Sequence, residues 1–194
     1  MPFSVTDFKA QLSGGGARPN LFEVVCTPPP GLALGRGNAS AGAQKFRYMC
    51  RAASLPGVTV GVVDVPYFGR LIPYPGDKVF PDWTTTITND EDFAVRDMIE
   101  DWVSAMGENA SNLATGGSNP ANYSTNIDVF QYGRSGNLLK HYKLIGAWPM
   151  EIPSIEIGWD NNDAVEMFDI TWKYSHWEAR TSDGGVSISV NVSL

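Results

Sequence analysis

VEMFDITWKYSHW, residues 165–177, changes character at every position. Phe168, Ile170, Trp172 and Tyr174 fall on one side; Asp169, Thr171, Lys173 and Ser175 fall on the other. Side chains of a strand point alternately to its two faces, so this period-two split predicts a strand with one buried and one wet face. The apolar set needs only a core. The polar set faces bulk water, a ligand or something larger, and that choice decides what the chain is for.

Outward from this strand, most of the chain reads as more strands. LFEVVCT (21–27), KFRYMCRAA (45–53), VFPDWTTTIT (79–88), NIDVFQYG (126–133), HYKLIGAWPM (141–150) and SIEIGW (154–159) are strand-like, and the Asp/Asn turn DNNDA joins the last of them to 165–177. In 45–53, Phe46, Tyr48 and Cys50 share one side, Arg47 and Arg51 the other, and a hairpin with 21–27 is expected. Residues 54–76 carry β-branched runs broken by Pro56, Pro66, Pro73 and Pro75. Proline cannot donate to a central ladder, so this segment is expected to be an extended arm or an edge hairpin.

One long helix is predicted at about 89–107. Val95, Met98, Ile99, Trp102 and Met106 recur at helical spacing behind an N-cap at Asn89 or Asp90, with acidic residues in the first turn. SVTDFKAQL (4–12) reads as a short amphipathic helix before the breaker SGGGARPN (13–20). Residues 27–44 and 108–125 read as polar loops, and GGVSISVNVSL (184–194) as an extra strand. The fold class is therefore mainly β, an antiparallel sandwich or barrel with one α-helix and extended loop arms.

With 194 residues, the chain suits one domain, 1–194, with a variable loop at 28–44 and an extension at 178–194. Its formal charge of −7 argues against tight binding to a nucleic-acid backbone, which needs clustered Lys and Arg. The longest apolar run, VTVGVVDV (58–65), is too short for a transmembrane helix, and the first residues lack a basic flank and apolar core, predicting no secretory leader. Cys26 and Cys50 lie on two candidate strands, where buried thiols or a cross-strand disulfide are both geometrically open.

Chemistry-bearing patterns are sparse. Ser175 and His176 are adjacent, and neighbours on a strand face opposite ways, so no nucleophile–base pair is expected. Asp160 to Ala164 begins like a calcium loop, but Val165 stands where the sharp-turn Gly belongs and Thr171 where the bidentate Glu belongs. The glycine stretches lack the Gly-Lys-Ser/Thr ending of a phosphate loop. Asp90, Glu91 and Asp92 suit a helix start better than acid–base work. No catalytic residue, cofactor or metal is expected, and the chain does not read as an enzyme.

Several phrases occur in an order and spacing that resemble a known family. ARPNLFEV (17–24), the F-x-x-x-C-x-A-A-S-L-P-G run from Phe46 to Gly57, and Gly69-Arg70 before Pro75-Gly76-Asp77 are followed by DWTTTITNDEDF (82–93), Asp101-Trp102 and GAWPMEIPSIEIGWDNNDAVEMFDITW (146–172). Together they resemble the tail tube proteins of contractile-tailed bacteriophages, from about Ala17 to Trp177. The resemblance implies a protomer whose six copies form a ring, with rings stacked into the hollow tube of a virion tail assembled in host cytoplasm. It implies as partners other copies of the chain, the tail sheath protein, baseplate and tail terminator proteins, and genomic DNA that passes through without specific binding.

On that reading, Asp169, Thr171, Lys173 and Ser175 are candidates for a polar surface lining the bore; without it they are an ordinary wet strand face. Six copies at −7 would carry −42 per ring, repelling a DNA polyanion. The arm is expected to meet the adjacent ring or subunit through Val65, Tyr67, Phe68, Arg70, Leu71, Ile72 and Tyr74, aided by the loop near 108–125. Two alternatives stay open: the tube of a tailocin or type VI-like secretion system, and a carbohydrate-binding sandwich with a platform of Trp83, Trp148, Trp159 and Trp177.

Overall fold

The computed structural model describes residues 4–30, 39–114 and 119–181. Its elements are α1 (Val5–Gln11), β1 (Phe22–Cys26), α2 (Ala39–Met49), β2 (Cys50–Ala53), β3 (Thr59–Tyr67), β4 (Arg70–Val79), β5 (Trp83–Thr88), α3 (Ala94–Met106), α4 (Pro120–Tyr123), β6 (Thr125–Tyr132), β7 (Leu138–Glu151), β8 (Met167–Lys173) and β9 (His176–Thr181). The architecture is mainly β and antiparallel, as expected. Seven strands run in the order β1-β6-β7-β8-β5-β2, with β9 also on β7, and β3 pairs only with β4.

The long strand β7 makes the fold two-layered. Its first half pairs with β6 and β9, and its last residues, Trp148 to Glu151, pair with β8. Between the halves stands Gly146 at φ +66°, a left-handed conformation that glycine adopts at little cost. One layer is thus β1-β6-β7-β9, the other β7-β8-β5-β2. Both contribute to one core: Val24, Ile127, Val129 and Leu144 from the first, Ile87, Phe168, Ile170 and Trp172 from the second.

The opening strand is two strands. β8 ends at Lys173 and β9 begins at His176, each in a different layer, and the Ser175 amide donates to the Ile145 carbonyl at the turn. Phe168, Ile170, Trp172 and Tyr174 are nevertheless all buried. Trp172 is the centre of the core. Its ring meets Trp102 and Phe46 edge-on, and its indole N–H donates to the buried Thr85 hydroxyl at 2.9 Å. Removing that hydroxyl would leave a buried donor unpaired, at a cost of about 1–3 kcal/mol.

Residues 45–53 are not a strand. They finish α2 and form β2, which pairs with β5 rather than β1. Phe46 is buried while Tyr48 points to solvent, as helical geometry requires and strand geometry does not. A second long helix therefore joins the one expected. The expected helix starts at Ala94, after Phe93 at φ +52°, so neither Asn89 nor Asp90 is its cap. Asp90 and Asp92 instead receive the Lys45 ammonium of α2 and the backbone amides of Glu91 and Ala94. Val95, Met98, Ile99 and Trp102 are buried, and Met106 packs at the core margin.

Residues 154–159 form no strand either. Both edges of β8 are occupied by β5 and β7, so SIEIGW cannot pair with the strand it leads into. Ile155 reaches the core margin, whereas Ile157 and Trp159 stand in solvent. The expected strand at 184–194 lies outside the described residues.

Candidate assembly surfaces

The β3–β4 hairpin carries the strongest surface anomaly. Every residue of both strands is exposed except the half-buried Gly76. Its exposed groups include Val62, Val63, Tyr67, Leu71 and Tyr74, a concentration of apolar area that an isolated soluble chain seldom presents. The segment expected over 54–76 to be an extended arm or an edge hairpin is a hairpin paired with neither layer, projecting as an arm and extending to Val79. It is rooted by two tryptophans, since Trp83 donates its indole N–H to the Ser54 carbonyl at 2.6 Å and Trp177 to that of Gly57 at 2.8 Å.

At the tip, Phe68 and Gly69 connect the strands with φ +44° and +77°. Two central residues of positive φ match the twist of a tight hairpin, a position that suits Asn and Gly far better than an aromatic residue. Phe68 is 92% exposed, and its ring touches Tyr67 edge-on. Arg70 follows directly. The hairpin thus brings Val65, Tyr67, Phe68, Arg70, Leu71, Ile72 and Tyr74 together on one projection.

The second surface is the outer face of β8 and β5. Asp169, Lys173 and Ser175 are exposed and Thr171 is half-buried. Register places Thr171 beside Thr84 and Asp169 beside Thr86, and the Thr86 hydroxyl donates to Asp169 at 2.6 Å. Lys173 is engaged by Asp82 at 2.6 Å, and Arg51 lies 2.7 Å from the Met167 sulfur. The face is rich in hydroxyls, and the Lys173 ammonium is paired with a carboxylate. The β5 contribution, Thr84, Thr86 and Thr88, was missed in sequence, although WTTTIT shows the same alternation.

The third surface comprises edges. Among the described residues, β2 pairs only with β5, and residues 148–151 pair only with β8. The four-strand layer therefore ends in an unpaired ladder on both sides, each able to accept another strand.

The remaining candidates are less productive. Cys26 and Cys50 are free and buried; burial raises both thiols, Cys50 to about 12. Ser175 and His176 do touch, contrary to expectation, with Nδ1 3.4 Å from Oγ, because they occupy the break between β8 and β9. That contact is long, and both residues are exposed. The tryptophan platform does not form: Trp83 is buried in the core and Trp159 is wholly exposed. Residues 160–163 form turns, not a metal loop, and among the described residues no group of His, Cys, Asp and Glu is placed to hold a metal. No described helix is long and apolar enough to cross a membrane.

Comparison with known proteins matches residues 17–180 to a family described as phage tail tube protein. The tail tube protein gp19 of Enterobacteria phage T4 is 34% identical over 168 residues, spanning 86% of this chain and 93% of that one. The tail tube protein of Serratia phage KSP90 is 26% identical over 176 residues, spanning 88% and 94%. Among solved structures, a chain of the PVC sheath-tube complex, an extracellular contractile injection system in its extended state, superposes with a TM-score of 0.56 at 13% identity, covering 92% of this chain and 98% of that one. That similarity is one of fold.

Proposed function

This chain belongs to the phage tail tube protein family, a component of the virion tail, and on that premise we propose that it builds the inner tube of a contractile tail from stacked hexameric rings. The observation that carries this reading is the β3–β4 hairpin, whose exposed apolar side chains need a cover that one copy does not supply. A ring-to-ring contact supplies it, through Val65, Tyr67, Phe68, Arg70, Leu71, Ile72 and Tyr74. Residues of the 108–125 segment contribute at the same boundary.

Within a ring, the open β2 edge of one copy pairs with the open 148–151 edge of the next, continuing the β7-β8-β5-β2 layer around the bore. Asp169, Thr171, Lys173 and Ser175 then face the lumen together with Thr84 and Thr86. This is a role in which hydroxyls and paired charges keep water bound without holding phosphates. The sheath protein surrounds the tube, baseplate and terminator proteins close its ends, and genomic DNA passes through it. The subunit acts as a wall, and no catalytic step is assigned to it.

Negative-stain microscopy of the purified chain tests the proposal. Stacked rings with six-fold symmetry are expected. A protein that remains monomeric at high concentration, under conditions where it is fully folded, would overturn it.

A further inference from the structure

The β7–β8 connection, residues 152–166, carries the chain's most exposed tryptophan. Trp159 is 100% exposed and Ile157 85%. Behind them lies a groove of about 400 Å³ lined by Ile157, Val165 and Met167, with Glu156 and Glu166 among its walls. Residues 152–166 include four acids, Glu156, Asp160, Asp163 and Glu166, and no Lys or Arg.

The strand register fixes where this groove sits. Trp83 pairs with Trp172 at one end of the β5–β8 ladder, and Thr88 pairs with Met167 at the other. The hairpin leaves the Trp83 end, because β4 runs directly into β5. The acidic loop rejoins the sheet at the Met167 end, where the Asn89 amide donates to the Glu166 carbonyl. The root of the hairpin that carries the aromatic, cationic tip and the acidic, apolar groove therefore occupy opposite ends of one layer. Identical units with unlike complementary ends associate head to tail, which stacks them without limit.

We propose that the 152–166 groove is the receptor for the hairpin tip of a second copy of this chain in the adjacent ring. The Phe68 ring enters between Ile157, Val165 and Met167, and Arg70 meets Glu156. The tip offers Arg70 as its only charged group between Val65 and Ile72, so its charge complements a loop that carries only acids. Placing an aromatic side chain at a positive-φ turn position is unfavourable in the free hairpin, and a ring filling a pocket on another copy accounts for its presence there.

This inference rests on the stacked-ring reading, and the test separates the two. Phe68→Asn suits the turn and removes only the ring. It should leave single rings intact while reducing stacks at least tenfold in micrographs and sedimentation. Arg70→Glu and Glu156→Arg should each impair stacking, and their combination should restore it. Cysteines introduced together at Phe68 and Ile157 should give a ladder of oxidised oligomers from assembled tubes, and either one alone should not. Normal stacking by the Phe68→Asn chain, or tubes of the double-cysteine chain without a ladder, would overturn the docking assignment and leave the tube standing. Failure of the unmodified chain to form rings would overturn both.

Discussion

Gly42 of α2 lies directly against the Ala94 carbonyl of α3: a Cβ at position 42 would stand 2.7 Å from that oxygen and 2.8 Å from the Met98 Cβ. Such separations are far below van der Waals contact, and the nearer atom is backbone that cannot rotate away. The two helices are thus pressed together by the absence of a side chain. Gly42→Ala gains helix propensity but must push the helices apart, and a net loss of about 1–3 kcal/mol is expected. Chemical denaturation measures it; an unchanged or raised midpoint would show that the helices separate freely.

Lys45 of α2 also binds Asp90 and Asp92, in the segment that leads into α3. Both carboxyls are held below the usual 3.8, chiefly by the hydrogen bond from Lys45, and the ammonium is held above 10.5 by the same bonds. Depressed carboxyls contribute stability that is present above pH 3.8 and lost as pH falls through their lowered values. The raised ammonium contributes stability present below pH 10.5 and lost as pH rises through its own value. Lys45→Met should therefore be less stable than the parent at neutral pH. The gap should narrow at both extremes, and a gap independent of pH would mean that the substitution acts through packing. The groups are exposed, so the effect is small.

Cys26 and Cys50 should be silent in the folded chain. Burial holds each thiol protonated, and only the thiolate reacts. An aromatic disulfide reagent at about pH 8 should label neither until denaturant unfolds the core, with labelling tracking the loss of tryptophan burial. Prompt reaction of the native protein would show that one of these thiols is accessible.

Legibility in the sequence followed the uniformity of each residue's surroundings. β8 was readable because each of its faces meets one environment, core or water, along its length. The same alternation hid the break at 174–175, since Tyr174 stays buried while the chain changes layer. α2 was illegible because Gly42 and the small residues around it resemble a loop until α3 is placed against them. SIEIGW alternates as a strand should, yet the strand that follows it, β8, has both edges taken by β5 and β7, which only the finished sheet reveals. The hairpin was legible as an arm because its prolines excluded a central position. What its apolar groups meet lies beyond one copy of the chain.

Deleting residues 64–73 removes the hairpin tip without touching the tryptophan anchors at Ser54 and Gly57. The core is built elsewhere, so the shortened chain should fold, with its aromatic circular dichroism preserved. It should remain unable to polymerise. Normal tubes from this variant would refute the assignment of the arm to assembly.

The last expectation concerns the bore. On the proposed lumen face Lys173 is already engaged by Asp82, so its ammonium is not free for a passing phosphate. A polyanion then finds hydroxyls and carboxylates, and it slides. Asp169→Lys replaces a negative charge by a positive one in every copy while keeping an exposed, polar residue opposite Thr86. Virions assembled with that chain should eject DNA more slowly, because each new ammonium can hold a phosphate in exchange for a condensed counterion. Raising the salt concentration should relieve the delay, since bound phosphates compete with free ions. An ejection time indistinguishable from the parent's at low salt would place Asp169 on the outer wall, and would move the lumen to the β1-β6-β7-β9 layer.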